Sequence, residues 1–191
     1  MSKFLSESWL VLAMGTIFAL LLAGAQAAFG PRIAENRRAE LERAARSVVP
    51  AEVGKLEEAT VQVEKEEKTV FKCLGAGGEL VGWALVDSGF GFQDKIKLVV
   101  GLSPDGGKVT GLQVVENVET PGLGNRIEEK EFSDRYKGLD ATEGITVVKQ
   151  GASKDRNEIQ AITGATISSE AVTRIANSVL SKVRPKLDEL R

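Results

Sequence analysis

Residues 95–115 read KIKLVVGLSPDGGKVTGLQVV, two apolar-rich runs on either side of Ser103-Pro104-Asp105-Gly106-Gly107. Proline presets one turn angle, aspartate bonds its own backbone, and glycine supplies conformations closed to other residues, so the centre is a turn. Ile96, Leu98 and Val100 alternate with Lys95, Lys97 and Val99, the period of a half-buried strand. Lys95–Gly101 and Lys108–Val115 are thus predicted to form a β-hairpin. Upstream, Ala59–Val63, Thr69–Leu74 and Glu79–Val86 read as further strands. Downstream, Glu128–Tyr136 reads as a short helix stopped by Gly138, and Gly144–Lys149 as another strand. The last segment carries Val172, Ile175, Ala176, Val179, Leu180 and Val183 at three-and-four spacing, one apolar stripe of a helix. Ser168 or Ser169 is placed to cap its start, Glu170 suits the positive end of its dipole, and Pro185 should end or bend it. Strands followed by helices, without regular βαβ alternation, predict an α+β fold with a central antiparallel-rich sheet.

The N-terminal part differs in kind. Trp9 to Phe29, WLVLAMGTIFALLLAGAQAAF, holds no charged residue and is long enough as a helix to cross a hydrocarbon core. Ala25-Gln26-Ala27 resembles a signal-peptidase site. The apolar run is longer than a signal sequence needs, however, and Lys3 is offset by Glu7, so an uncleaved single-pass transmembrane helix is expected. Gly30-Pro31 is expected to interrupt the helix, with proline starting a new one. Residues 32–48, with pairs such as Glu42 and Arg46, read as a solvated stalk ended by Pro50. The expected organisation is an anchor at 1–30, a helical stalk at 31–50 and one mixed domain at 51–191. Arg32, Arg37, Arg38, Arg43 and Arg46 follow the span while Lys3 alone precedes it, which by the positive-inside rule places the domain in the cytoplasm.

Composition narrows the chemistry. With 25 basic and 27 acidic side chains the formal net charge is −2, which offers no footprint for nucleic acid. The chain has no histidine, so Ser-His and Cys-His nucleophiles and imidazole metal sites are excluded. Cys73 is the only cysteine, too few for an internal disulfide or an iron–sulfur cluster. Within Val70-Phe71-Lys72-Cys73-Leu74 it reads as a small buried hydrophobe, with a reactive thiol or an intermolecular bridge as the alternatives. Any redox chemistry then falls to an organic cofactor.

Just before the final helix lies Ile162-Thr163-Gly164-Ala165-Thr166-Ile167-Ser168-Ser169. Small residues beside Thr166 let a bulky group approach the backbone, and the helix start behind them favours an anion. A phosphate esterified to Thr166 would sit in that field, further held by Ser168 and Ser169. An ordinary Ser/Thr-capped helix start fits the same residues. A second block, Glu119-Thr120-Pro121-Gly122-Leu123-Gly124, has a backbone suited to lie along a planar ring, or simply to turn the chain. Glu119 there serves either as a hydrogen-bonding partner or as a cap for the loop.

These two blocks carry a resemblance. TGATISS resembles the flavinylation motif of two kinds of FMN-binding domain, in the G subunit of the Rnf electron transport complex and the C subunit of the sodium-pumping NADH:quinone oxidoreductase. ETPGLG, the hairpin before it and Gly89-Phe90-Gly91-Phe92 are similar to the family's pattern, in the same order behind an anchor. The chain's short length favours the Rnf protein. The resemblance implies FMN joined through its phosphate to Thr166 by a flavin transferase. It implies that Thr163, Gly164, Ala165, Ser168 and Ser169, with Glu119, Thr120, Pro121, Gly122, Leu123 and Gly124, form the cofactor site. It implies an electron-relay role without independent catalysis, beside the integral-membrane and peripheral subunits of a complex that couples ferredoxin and NAD to H⁺ or Na⁺ translocation. It also implies a single-pass protein of the cytoplasmic membrane with its domain on the periplasmic or extracellular side, against the arginine count. The family's target motif has an aspartate where this chain has Gln160. A stand-alone anchored flavin carrier and a non-redox anchored assembly protein are the alternatives.

Overall fold

The structure is a computed structural model describing residues 2–64 and 66–190; the side chains of residues 2–7, Lys3 and Glu7 among them, lie outside the described set. The chain divides into two compact units, Met1–Glu40 and Leu41–Arg191.

Helix α1, Ser2–Ser47, runs uninterrupted with Pro31 inside it, so the expected break at Gly30-Pro31 is corrected. Proline removes one donor and crowds one carbonyl, but its fixed φ is helical. In a helix this long, the flanking turns carry the ladder past a single missing bond. Among the described residues this helix is long and apolar enough to cross a membrane, and no side chain in its apolar stretch is buried.

In the second unit, β1 (Lys55–Val63), β2 (Glu66–Leu74), β3 (Leu80–Phe90), β4 (Lys95–Leu102) and β5 (Val109–Glu116) form one antiparallel sheet in sequence order. The hairpin expected over residues 95–115 is β4–β5, with Gly101 opposite Gly111. One sheet face buries Val70, Leu85, Ile96, Leu98 and Val100 beneath the C-terminal helix α3 (Thr166–Ser178); the predicted stripe, on α3 and the turn that continues it, lies in the same core. Gly89 lets that helix close on the sheet, since a Cβ there would stand 2.7 Å from Ile175 Cγ1.

The other face is covered too, by a layer that local alternation in the sequence does not announce. Residues 32–40 are exposed, but Ala44, Ala45, Val48 and Val49 are buried with Phe71, Cys73, Val86 and Val99. A solvated stalk over 32–48 therefore gives way to a helix end that belongs to the domain. Val99, assigned to the solvent side of β4, is fully buried for this reason. The chain crosses the sheet so closely that a Cβ on Gly101 would stand 2.3 Å, and on Gly111 2.8 Å, from the Val48 carbonyl oxygen. Cys73 is buried within this layer, where desolvation pushes its thiol up to about 11.

The connections differ in detail. The helix expected over Glu128–Tyr136 is a series of single turns, with 3₁₀ turns at Gly124–Glu128 and Asp134–Tyr136 around α2, Lys130–Ser133. Gly138, at φ +83, follows them. The strand expected over Gly144–Lys149 shrinks to β6, Thr146–Val148, which pairs in parallel with an unforeseen strand β7, Glu158–Gln160. Strands of this length are too short for alternation to register. Helix α3 leaves α pitch at Ser178, passes through a π turn, Val179–Val183, and continues as a 3₁₀ helix over Arg184–Leu190. Pro185 neither stops nor simply bends it. Lacking the N–H that α geometry directs to the Ser181 carbonyl, it obliges the path to change pitch.

Candidate flavin groove

Three loops meet at one end of the sheet: Gly91–Asp94 after β3, Glu119–Gly124 after β5, and Ile162–Ala165 before α3. Between them lies a groove of about 330 Å³ lined by Phe92, Glu119, Thr120, Leu123, Gly124 and residues 164–168. The two motif blocks, far apart in sequence, thus share one wall-to-wall site. Of the expected site residues, Thr163, Pro121, Gly122 and Ser169 do not line it; the first three are exposed and Ser169 is buried.

Helix α3 starts at Thr166, with Ala165 as its N-cap residue and no side chain capping the first turn. Gly164 takes φ +84, which lets the chain reverse and the Ala165 N–H reach the Ile162 carbonyl at 2.9 Å. The expected capping by Ser168 or Ser169 is corrected, because both lie inside the helix and their hydroxyls go elsewhere. Ser168 donates to Glu119 Oε2 at 2.7 Å. Ser169 donates to the Ala165 carbonyl at 2.9 Å and accepts from the Ile162 N–H at 3.0 Å, bracing the turn from behind. The first-turn N–H groups of Thr166, Ile167 and Ser168 have no carbonyl behind them in the helix, and all three residues line the groove. A helix start of this kind suits an anion, and Thr166 beside it is half-buried.

The start of α3 is anchored from below. Thr173 donates to the Ser169 carbonyl at 2.9 Å and shares a 2.7 Å hydrogen bond with the fully buried Tyr136 hydroxyl. Burial holds that phenol well above its ordinary range.

Glu119 hydrogen-bonds to protein groups, and the loop that it caps is residues 91–94, not its own. It is 4% exposed, and its Oε1 accepts the N–H groups of Phe92 at 2.8 Å and Gln93 at 3.1 Å. With Ser168 on Oε2 it caps the Gly91–Asp94 loop and holds α3 at once. Gly91 and Gly124 press against it: a Cβ on Gly91 would fall 2.2 Å from Oε1, and one on Gly124 2.7 Å from Oε2.

The rim is apolar. Among the described residues of the second unit, the exposed large apolar side chains are Phe90, Phe92, Val118, Leu123 and Ile167. Phe92, Leu123 and Ile167 line the groove itself. Phe92 was absent from the site expected from sequence; its signal was the glycine-aromatic pattern Gly89-Phe90-Gly91-Phe92. An anion site at one end and exposed apolar walls along the rest fit a phosphate carrying a planar ring, and so the residues present fit FMN. Gln160, by contrast, lies outside this groove on an exposed strand end, its carbonyl held by Arg135 Nη1 at 2.5 Å.

Comparison with known proteins gives the same picture. Residues 91–181 match the FMN-binding domain family, a stretch holding the hairpin and all three groove loops. The chain is 36% identical over 132 residues to the G subunit of the Na⁺-translocating ferredoxin:NAD⁺ oxidoreductase complex of Acetobacterium woodii, covering 68% of this chain and 62% of that one. It is 34% identical to the G subunit of the ion-translocating oxidoreductase complex of Methanosarcina acetivorans, covering 59% and 57%. The chain thus spans about six-tenths of the length of these curated relatives. In fold it resembles the crystal structure of Shewanella oneidensis NqrC, with a TM-score of 0.68 at 18% identity, over 76% of this chain and 93% of that one.

Proposed function

We propose, from the premise of an FMN-binding domain carried behind a helix of membrane-crossing length, that this chain is the G subunit of an Rnf-type ion-translocating oxidoreductase. In this role it relays electrons through FMN esterified to Thr166. The observation that carries the reading is the place of Thr166, the first residue of α3, half-buried on a groove whose far walls are apolar. The uncapped N–H groups of the first helical turn would hold the phosphate, and Phe92, Leu123 and Ile167 would hold the ring. When bound, FMN supplies reversible one- and two-electron transfer.

The chain's own residues supply position and retention. A phosphoester to Thr166 keeps the cofactor from diffusing away, and α1 keeps the domain at the membrane. The extents we assign are an anchor at 1–30, a helical segment at 31–50 whose residues from Leu41 onward pack as part of the domain, and the body of the FMN-binding domain at 51–191. A flavin transferase is the maturation partner, and the remaining membrane and peripheral subunits are the electron partners, with ferredoxin and NAD at the ends of the chain and H⁺ or Na⁺ as the coupled ion. We assign the domain to the periplasmic or extracellular side on the family resemblance alone; the arginines after the span oppose it, and neighbouring subunits can fix an orientation against that charge. Intact-mass measurement on the chain made with a flavin transferase, followed by digestion, tests the reading: one FMN phosphoryl adduct, carried by the peptide containing Thr166, is expected, and an unmodified mass contradicts it.

A further inference from the structure

We propose that Glu119 is a positioning residue of the flavin site, locking the Phe92 loop to the first turn of α3 and so fixing the separation of the groove walls. The inference rests on the FMN reading above and assigns the carboxylate to the protein framework, with the cofactor contacted by the residues that it holds.

Three observations converge. First, the donors come from both sides of the groove: the Phe92 and Gln93 N–H groups from one loop and the Ser168 hydroxyl from the helix. These partners lie 26, 27 and 49 positions from Glu119, so no local turn chemistry brings them together. Second, both carboxylate oxygens are enclosed. Gly91 and Gly124 approach so closely that a methyl group on either would collide with Glu119, at 2.2 Å and 2.7 Å. Third, Phe92 is 61% exposed, so packing does not hold this residue in place; its backbone hydrogen bond to Glu119 holds the main chain from which the ring projects. An exposed strap from Gln93 Nε2 to Thr120 Oγ1, at 2.8 Å, ties the same two loops but does not reach the helix. Among the described residues, Glu119 is the side chain that joins all three segments of the site. An acceptor with several converging donors holds a geometry better than any one bond.

The chemistry predicts which substitutions rescue. In Glu119→Gln the amide oxygen still accepts both N–H groups, and the amide nitrogen can donate to Ser168, whose hydroxyl reverses its role. Glu119→Ala leaves all three donors without an acceptor in a buried place.

The test uses the full-length chain in detergent, produced with a flavin transferase. Flavin fluorescence and visible circular dichroism are recorded on the native protein, and fluorescence again after denaturation. Denatured emission counts covalent FMN whatever the fold, and the native-to-denatured ratio reports the surroundings of the ring. Glu119→Gln should keep the ratio and dichroism of the unaltered chain. Glu119→Ala should change the ratio severalfold while still carrying covalent flavin, and Ser168→Ala should shift it the same way by less. A folded Glu119→Ala with an unaltered ratio and dichroism overturns the proposal, as does a Glu119→Gln as far displaced as Glu119→Ala. If Glu119→Ala does not fold, Ser168→Ala decides, and an unchanged ratio there overturns the proposal. An unaltered chain without covalent flavin instead overturns the FMN reading and this inference with it.

Discussion

Arg135 donates from Nη1 to the carbonyl of Gln160 at 2.5 Å, fixing the end of β7 just where the chain leaves for the Thr163–Thr166 turn. The Gln160 side chain itself is exposed and is no part of the groove lining. A residue so placed is available to a modifying enzyme without being part of the finished cofactor site. Gln160→Asp should therefore raise the flavinylated fraction when transferase is limiting, with no change in thermal unfolding. The fraction is read by intact mass at fixed reaction times. Equal fractions for both chains would show that the threonine and its Gly-Ala neighbours suffice for recognition.

Gly124 faces Glu119 from the ETPGLG side of the groove. Gly124→Ala would place a methyl 2.7 Å from Glu119 Oε2 and 2.8 Å from Ser168 Oγ. Such overpacking costs about 1–3 kcal/mol. The expected outcome is lower stability in denaturant titration together with weaker retention of flavin before attachment. Unchanged stability would mean that the loop relaxes freely, against the tightly braced groove described above.

Cys73 is enclosed between the sheet and the end of α1, and burial pushes its thiol up to about 11 from an ordinary 9.0. The native protein should resist alkylation at pH 8 and react promptly once unfolded. The sign for stability follows from linkage: above pH 9 the unfolded chain loses this proton while the folded one keeps it. Stability should then fall as pH rises from about 9 to 11, by up to about 1.4 kcal/mol per pH unit. Cys73→Ala should flatten that slope relative to the unaltered chain, and an equal slope in both would refute the assignment.

Sidedness sets two arguments against each other. With the domain outside the cytoplasm, an impermeant amine reagent should label lysines in residues 51–191 of intact cells stripped of any outer barrier. Labelling only after lysis would restore the orientation that Arg32, Arg37, Arg38, Arg43 and Arg46 favour by charge.

What was legible in the sequence depended on length and period. The β4–β5 hairpin, with its Pro-Asp-Gly-Gly turn, and the apolar stripe over 172–183 both exceed one period; the hairpin stands at 95–115 and every stripe residue is buried, although from Val179 the stripe leaves α3 for the π turn. Strand β7, Glu158–Gln160, is too short to carry a pattern. The burial of Val99 was illegible for another reason: what covers it is the end of α1, and a local alternation does not reveal a second layer. In the site, Thr166 and the ETPGLG loop were visible as motifs. The binding of Glu119 to Phe92 and Ser168 was not, because it exists only once segments distant in sequence are folded together.

Retention of the flavin depends on the bond at Thr166. Thr166→Val keeps the β-branched shape and removes the oxygen, at a cost of about 1 kcal/mol if the hydroxyl makes one ordinary hydrogen bond. The domain should still fold, and electron transfer through the complex should fall away. Thr163→Val and Ser169→Ala should retain some covalent flavin, since one is exposed beside the turn and the other braces it from behind. The most direct measurement is in-gel flavin fluorescence of the denatured Thr166→Val band beside the unaltered chain, both made with a flavin transferase. We expect a fluorescent band from the unaltered chain and none from Thr166→Val; a Thr166→Val band that keeps its fluorescence would place the attachment elsewhere and contradict this account.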